Sequence, residues 1–460
     1  MRLSAHLVAA RSRSATPPGP SNLIPGRVIY RARRDFVGFL TDVQRRYGDV
    51  ALIRTGFRRL YLISHPDPIR DILVTRADNF TKGPALRMAK VTLGEGLLTS
   101  EGDFHRRQRR MMQPAFHAQR VASYAGVFVQ FAARAARRWR DGEVFDIRAA
   151  MTQLTLEIVA KTLFDAEIES EVREIGEAMD VTVKMFDRSR NPLARVLNLL
   201  PLPSNRRFFH ARARVFETID RMIARRRQAP DSGAQNDFLS ILLKARDADG
   251  DQQGMSDEQL RFEAMTLFSA GHETTANALV WTWLLLAKNP QAEARFHEEI
   301  DRELGGRAAT AADVPRLTYT RAVLAESMRL YSPAWIVARQ SIESHTVGQW
   351  TLPPGSVILM SQYLVHRDPR WWERPEQFEP ERWLTEQPNR PRYAYFPFGG
   401  GPRQCIGESF AWLEGIVLLA TLAQHCRFRR VDDARVRLHP TITLRPRDLL
   451  PMRVERRVRG

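Results

Sequence analysis

The chain has 460 residues, 43% of them hydrophobic, with nothing repetitive or low in complexity, and carries a formal charge of +18 at pH 7. That length can bury a large core. The longest apolar stretch, "NALVWTWLLLA" (277–287), falls short of a membrane span, and "LSAHLVAA" (3–10) is too short for one and has no convincing signal-peptide cleavage pattern, so a soluble cytoplasmic protein without a transmembrane anchor is expected.

The charge invites a nucleic-acid reading, but its distribution argues against one. The surplus is almost wholly arginine, since lysine occurs only at 82, 90, 161, 184, 244 and 288, and the arginines are scattered with no basic tail. A positive surface that attracts acidic partners is expected, and no nucleic acid. The two cysteines, Cys405 and Cys426, offer neither a disulfide framework nor zinc spacing, so reduced thiols are expected.

Along the chain, residues 1–16 read as a disordered, acid-free leader, with one domain over 17–460. "VALIRTG" (50–56) and "RRLYLIS" (58–64) read as a β-hairpin about a glycine turn, and "DPIRDILVTR" (67–76) has helical spacing. From about 103 to 345 the pattern is mostly helical. Ser256 and Gln259 form a capping box that opens a long helix ended by Pro290. Gly271, near its middle, costs about 1 kcal/mol relative to alanine. Another helix carries "TRAVLAESMRLY" (320–331), and "SVILMSQYLV" (356–365) alternates like a strand. Residues 366–404 show little periodicity, which in a compact domain is usually functional. "ESFAWLEGIVLLATLAQHC" (408–426) is a strong helix. The fold class expected is mainly α with small β-sheets (α+β), in one large domain.

The irregular stretch ends in "FGGGPRQCIG" (398–407). Gly399, Gly400 and Gly401 permit a tight turn and close approach to a flat object. Cys405 stands at the start of the following helix, where free N–H groups and the dipole favour a thiolate. Such a thiolate is a metal ligand or a nucleophile, and the nearby sequence offers no His or Asn to serve a nucleophile.

Phe398, Gly401, Arg403, Cys405 and Gly407 match F-x-x-G-x-R-x-C-x-G, the signature of the cytochrome P-450 family of haem-thiolate monooxygenases, which this chain resembles from about residue 17 onward. The resemblance implies haem b (iron protoporphyrin IX) between the long central helix and the cysteine-loop helix, with Cys405 as axial iron ligand. Phe398, Gly399 and Gly407 shape the loop, whose amides hydrogen-bond the sulfur and tune the iron. "ESMR" (326–329) matches the family's E-x-x-R, and with Arg382 of "PERW" implies a buried network of Glu326, Arg329 and Arg382 that braces the irregular stretch. "AGHETT" (270–275) matches the oxygen-binding segment, with Gly271 making room for dioxygen and Glu273 and Thr274 as acid and alcohol in proton delivery. Arg109, Arg339 and Arg403 match contacts to the haem propionates. His105 stands where the family usually has tryptophan, as a weaker donor if neutral.

The implied activity is insertion of one oxygen atom of O2 into an unactivated C–H bond of an apolar small molecule. A terpene is favoured, a fatty acid or steroid-like molecule next. The pocket is implied to be lined by parts of 82–100, Phe268 to Thr274, "PAWIVA" (333–338) and "TITL" (441–444). Electrons are expected from NAD(P)H through a ferredoxin and ferredoxin reductase, or a flavodoxin, docking near Arg106, Arg107 and Arg110, and the protein is expected to be a monomer. A haem-thiolate isomerase or gas sensor would not need Glu273 and Thr274, and a basic nucleic-acid binder would explain none of the ordered motifs.

Overall fold

The computed structural model describes residues 16–21, 26–55, 58–164, 200, 202–228, 237–247, 250 and 252–457. The leader expected over 1–16 lies, save its last residue, outside the described residues, as does the glycine of the expected hairpin turn.

The largest sheet has five strands: β1 (Val50–Thr55), β2 (Arg58–Ile63), β3 (Phe80–Lys82), β4 (Val337–Ser341) and β5 (Val357–Met360). Their spatial order is β1-β2-β5-β4-β3. The expected hairpin forms with Val50 opposite Ile63, and β2 runs parallel to β5 with Leu60 beside Val357. At the far edge β3 pairs antiparallel with β4, which sets Lys82 directly opposite Arg339. Two cations thus share one register position, an unfavourable pairing unless something anionic lies between or beside them.

Seven helices carry the rest of the argument: α1 (Gly102–Met112), α2 (Ala125–Arg138), α3 (Ile147–Phe164), α4 (Asp257–Lys288), α5 (Pro290–Leu304), α6 (Thr318–Leu330) and α7 (Glu408–His425). The capping box forms as expected: the Gln259 N–H donates to Ser256 Oγ at 3.2 Å, and the Ser256 N–H donates to Gln259 Oε1 at 2.9 Å. Asn289 follows the last helical residue, and Pro290 begins α5, where its missing N–H costs nothing.

From Thr275 to Leu286 in α4, and from Leu413 to Gln424 in α7, every side chain is buried. Helices apolar all round belong in a core, and these two form its centre, with α7 packed on α2, α4 and α6 and α4 lying along α3. Trp281 of α4 stacks on Tyr331 at 4.1 Å and donates its indole N–H to the Leu444 carbonyl at 2.9 Å. Among the described residues no helix is long and apolar enough to cross a membrane.

Two expectations are corrected. The alternation over 356–365 is strand only to Met360. Ser361 then donates its hydroxyl to the Trp335 carbonyl at 2.9 Å and accepts from the Val365 N–H at 3.1 Å, turning 362–365 into a helical turn. Cys426 does not end the last helix. It begins a strand, Cys426–Arg430, held by antiparallel pairing with Pro451–Arg456.

Candidate active site

Gly399 (φ 73°) and Gly401 (φ 67°) adopt left-handed backbone that favours glycine. The Gly399 N–H donates to the Phe396 carbonyl, and the Cys405 N–H to the Phe398 carbonyl, both at 2.9 Å, closing the loop on itself. The expected approach to a flat ligand is only partly the reason for the glycines. A side chain at Gly400 would strike the Tyr393 hydroxyl, and one at Gly401 the Leu73 carbonyl, whereas the space beside Gly399 is open. Two of the three glycines therefore serve protein packing.

Cys405 does not sit within the helix start. α7 begins at Glu408 behind the N-cap Gly407, and Cys405 precedes it in the loop with its residue exposed. The mass of protein around the sulfur pushes the thiol up to about 11, against the Gly407 N–H bonded to it and the Arg109 charge, which favour the thiolate. The free thiol is thus neutral at pH 7, and a metal ion taking the sulfur would displace its proton.

The brace forms as the motifs imply. Arg329 Nε and Nη2 grip the two oxygens of Glu326 at 2.8 Å each, Arg382 Nε adds a bond at 3.0 Å and Trp383 Nε1 one at 2.8 Å. Arg329 spends its remaining donors on the carbonyls of His366 (2.8 Å), Pro375 (2.7 Å) and Gln377 (2.9 Å), all in the irregular stretch. Burial alone would raise the Glu326 carboxyl, but Arg329 and Arg382 outweigh it and hold the group below its ordinary value. His366 extends the brace by accepting the Phe396 N–H at 2.9 Å, two residues before the cysteine loop.

A second set of charges is far less satisfied. Lys82, His105, Arg109, Arg339 and Arg403 influence one another electrostatically, and Glu101 is the acidic group among them. Burial, reinforced by Arg403 and Arg339, pushes Lys82 down to about 7. Burial and Arg403 push Arg339 to about 10, and burial with Lys82, Arg403 and Arg109 takes His105 to about 3, so His105 is uncharged at neutral pH. Arg403 pairs with Glu101, yet its buried Nη1 has no acceptor. Arg109 donates to the Gln404 carbonyl at 2.8 Å, tying α1 to the cysteine loop. These donors, with Glu101 among them and Glu263 beside Lys82, would suit a dianionic group such as the two propionates of haem, and Cys405 lies near Arg109. Lys82 and Glu101 were not singled out by motif. Nothing local in the sequence marks either, since their partners come from distant segments.

Between the buried ends of α4 the residues Leu267, Ala270, Gly271 and Thr274 are partly or fully open and share one helix face. Thr274 donates its hydroxyl back to the Ala270 carbonyl at 2.6 Å. Glu273 is not bonded to Thr274: its carboxylate accepts from the Thr443 hydroxyl at 2.6 Å and lies 3.9 Å from Arg445. Thr443, also bonded by Asn277 Nδ2 at 3.2 Å, anchors the expected pocket segment 441–444 on α4. A side chain at Gly271 would stand 3.1 Å from Val159, so the missing Cβ faces α3 and lets the two helices approach. Of the arginines expected near a redox carrier, Arg107 and Arg110 both pair with the buried Asp247, and Arg106 pairs with the exposed Asp103.

An open cysteine on a glycine turn, buried and half-buried cations near it and an open helix stripe bearing a threonine form the arrangement that a haem-thiolate oxygenase would need. The chain belongs to the cytochrome P-450 family, whose model matches residues 17–451, and is a bacterial-type P-450 monooxygenase. It is 40% identical over 448 residues to cyclooctatin synthase of Streptomyces melanosporofaciens, covering 96% of both chains. To cyclooctat-9-en-7-ol 5-monooxygenase of the same organism it is 37% identical, covering 91% of this chain and 90% of the relative. Its fold superposes on the crystal structure of the haem domain of a cytochrome P-450DA mutant with a TM-score of 0.85 at 27% identity, covering 96% of this chain and 98% of that one.

Proposed function

We propose that this P-450 monooxygenase hydroxylates an unactivated C–H bond of a cyclic terpene, with dioxygen and with two electrons passed from NAD(P)H by a ferredoxin and its reductase. The observation that carries the reading is the open Cys405 sulfur, held by the Gly407 N–H, near Arg109 and two residues from Arg403, whose buried Nη1 has no acceptor. The terpene is supported by the two Streptomyces relatives, which span nearly the whole chain, and by the apolar stretches on either side of the open stripe.

Cys405 would ligate the iron, and Arg339 and Arg403 would hold the propionates, with His105 donating as a neutral imidazole. When bound, haem supplies dioxygen activation and the oxidant for C–H insertion. The chain contributes the rest. The Gly407 N–H tempers the electron donation of the sulfur. Thr274, whose proton is directed to the Ala270 carbonyl, keeps its oxygen lone pairs toward the open stripe and can accept one proton while passing on another. Glu273, partly open and linked to Thr443, is placed to exchange protons with solvent and relay them along α4. Leu98, Leu267 and Ala270 exclude water from the reacting carbon.

Purified protein produced with ample haem and reduced under carbon monoxide tests the ligation: a strongly red-shifted Soret band is expected, and its absence, or its persistence in Cys405→Ser, would overturn the reading. Spectral titration with cyclic diterpenes, sesquiterpenes and fatty acids then tests the substrate class. Displacement of iron-bound water and product formation with a ferredoxin system are expected for a terpene, and turnover of fatty acids alone would refute that class.

A further inference from the structure

Leu97 is held in an unusual way. Its N–H donates to Oε2 of Glu263, on α4, at 2.8 Å, and its carbonyl accepts from Nζ of Lys82, on β3, at 2.9 Å. Lys82 also donates to the Ser100 carbonyl at 2.5 Å, while its own N–H donates to Glu101 Oε1 at 2.6 Å. Glu263 is 1% exposed and Lys82 4%. One loop residue therefore has both backbone polar groups taken by buried ionisable side chains from two different elements.

Burying such groups is costly, and a loop that merely needed covering would be held by apolar contacts at lower cost. The seat is also close. A side chain at Gly96 would collide with the Thr266 hydroxyl and come within 2.6 Å of the Phe262 carbonyl, and one at Gly94 would strike the Phe262 ring. The segment 94–97 thus lies directly on α4 at 262–266, just before the open stripe that begins at Leu267. Leu97 is turned into the core, which leaves its neighbour Leu98 partly open and packed on the same apolar cluster as Leu267.

We propose that Glu263 and Lys82 are positioning residues: by clamping both backbone groups of Leu97 they hold Leu98 over the edge of the open stripe of α4, and so set the size and orientation of substrate admitted to the reaction centre. The inference rests on the haem-thiolate reading of that centre. Glu263 acts as an acceptor for an amide, so glutamine can replace it and methionine, of similar volume, cannot. The clamp joins three elements that the reaction needs in fixed relation: the sheet edge with its cations, the loop roof and the oxygen-side helix.

Azoles of graded bulk, imidazole, 4-phenylimidazole and 1-hexylimidazole, bind haem iron directly and report access past the roof without knowledge of the substrate. In haem-loaded protein the affinity ratio of bulky to small azole is expected to be the same in wild type and Glu263→Gln. In Glu263→Met, with its carbon monoxide band intact, it is expected to rise by about fivefold or more, and hydroxylation of a terpene substrate to spread over more positions. An unchanged ratio and product pattern in Glu263→Met would overturn the clamp. Should that variant not fold, Leu98→Ala and Leu98→Phe decide: the ratio is expected to rise in the first and fall in the second, and no change in either overturns the proposal. Wild-type protein giving neither an azole shift nor the carbon monoxide band would instead refute the haem-thiolate reading. In that case slow hydrogen exchange at the Leu97 amide still tests the clamp geometry, and fast exchange there overturns it.

Discussion

Two clusters of charge in this protein, one around Glu326 and one that includes Arg403 of the cysteine loop, differ in a telling way. Around Glu326 each oxygen of the carboxylate accepts more than one donor, and Arg329 directs its guanidinium at named carbonyls and carboxylate oxygens. Around Lys82, Arg339 and Arg403 the three basic groups outnumber the carboxyls of Glu101 and Glu263, and the donor Nη1 of Arg403 is buried without an acceptor. A closed network stores its energy in the fold, because each member satisfies another. An open one is a liability to the fold by itself and becomes favourable when an anion enters. The first cluster braces the stretch that leads to the loop, and the second, on the function proposed above, would receive the anionic edge of the cofactor.

The comparison can be broken most severely at Arg329. Arg329→Met leaves Glu326 buried beside lost partners, and a destabilisation of about 3–5 kcal/mol is expected, read as a drop in the denaturation midpoint with little haem-loaded protein recovered. Arg339→Met should do the opposite to the empty fold. Removing one of two facing cations is expected to leave apoprotein stability unchanged or raised by about 1 kcal/mol, while haem affinity falls roughly tenfold or more, read by haem transfer to apomyoglobin. Equal destabilisation in both variants would erase the distinction.

Glu414 sharpens it from between the two extremes. One of its oxygens accepts from Thr275 Oγ1 at 2.9 Å and the other is buried without a partner, and burial raises the carboxyl from 4.5 to about 8. An acid raised in the folded state contributes its full stability only below its unfolded value and loses it as pH rises through the folded one. Glu414→Gln is therefore expected to be near neutral below pH 4.5 and increasingly stabilising from there to about pH 8, by up to about 5 kcal/mol, read as denaturation midpoints across that range. The smallest effect on the fold, and a selective one on chemistry, is expected of Thr274→Ala. Substrate affinity by spectral titration should hold, while product per electron consumed falls by about tenfold or more and peroxide appears instead.

How far the sequence reaches depends on how local the physics is. The capping box of Ser256 and Gln259 and the turn at Gly399 act within a few residues, so both are legible in order along the chain. The alternation over 356–365 misled because Ser361 finds a distant carbonyl, that of Trp335, and the chain turns into a helix there. Gly271 was legible as special, but not that its missing side chain faces Val159. Glu273 and Thr274 are neighbours in sequence, and each nevertheless bonds elsewhere.

By itself the sequence pointed to the haem-thiolate class, to Cys405 as the proposed ligand and to the brace of Glu326, Arg329 and Arg382, because each rests on side-chain types at short, fixed spacing. Only the tertiary structure decided that Nη1 of Arg403 is buried without an acceptor, which glycines serve packing, and that Glu263 and Lys82 meet at Leu97. Those facts join residues far apart in the chain, Leu97 with Glu263 and Glu101 with Arg403 among them. Burial and pairing, which set whether a charge is a cost or a binding site, come into being only when such distant elements are packed together.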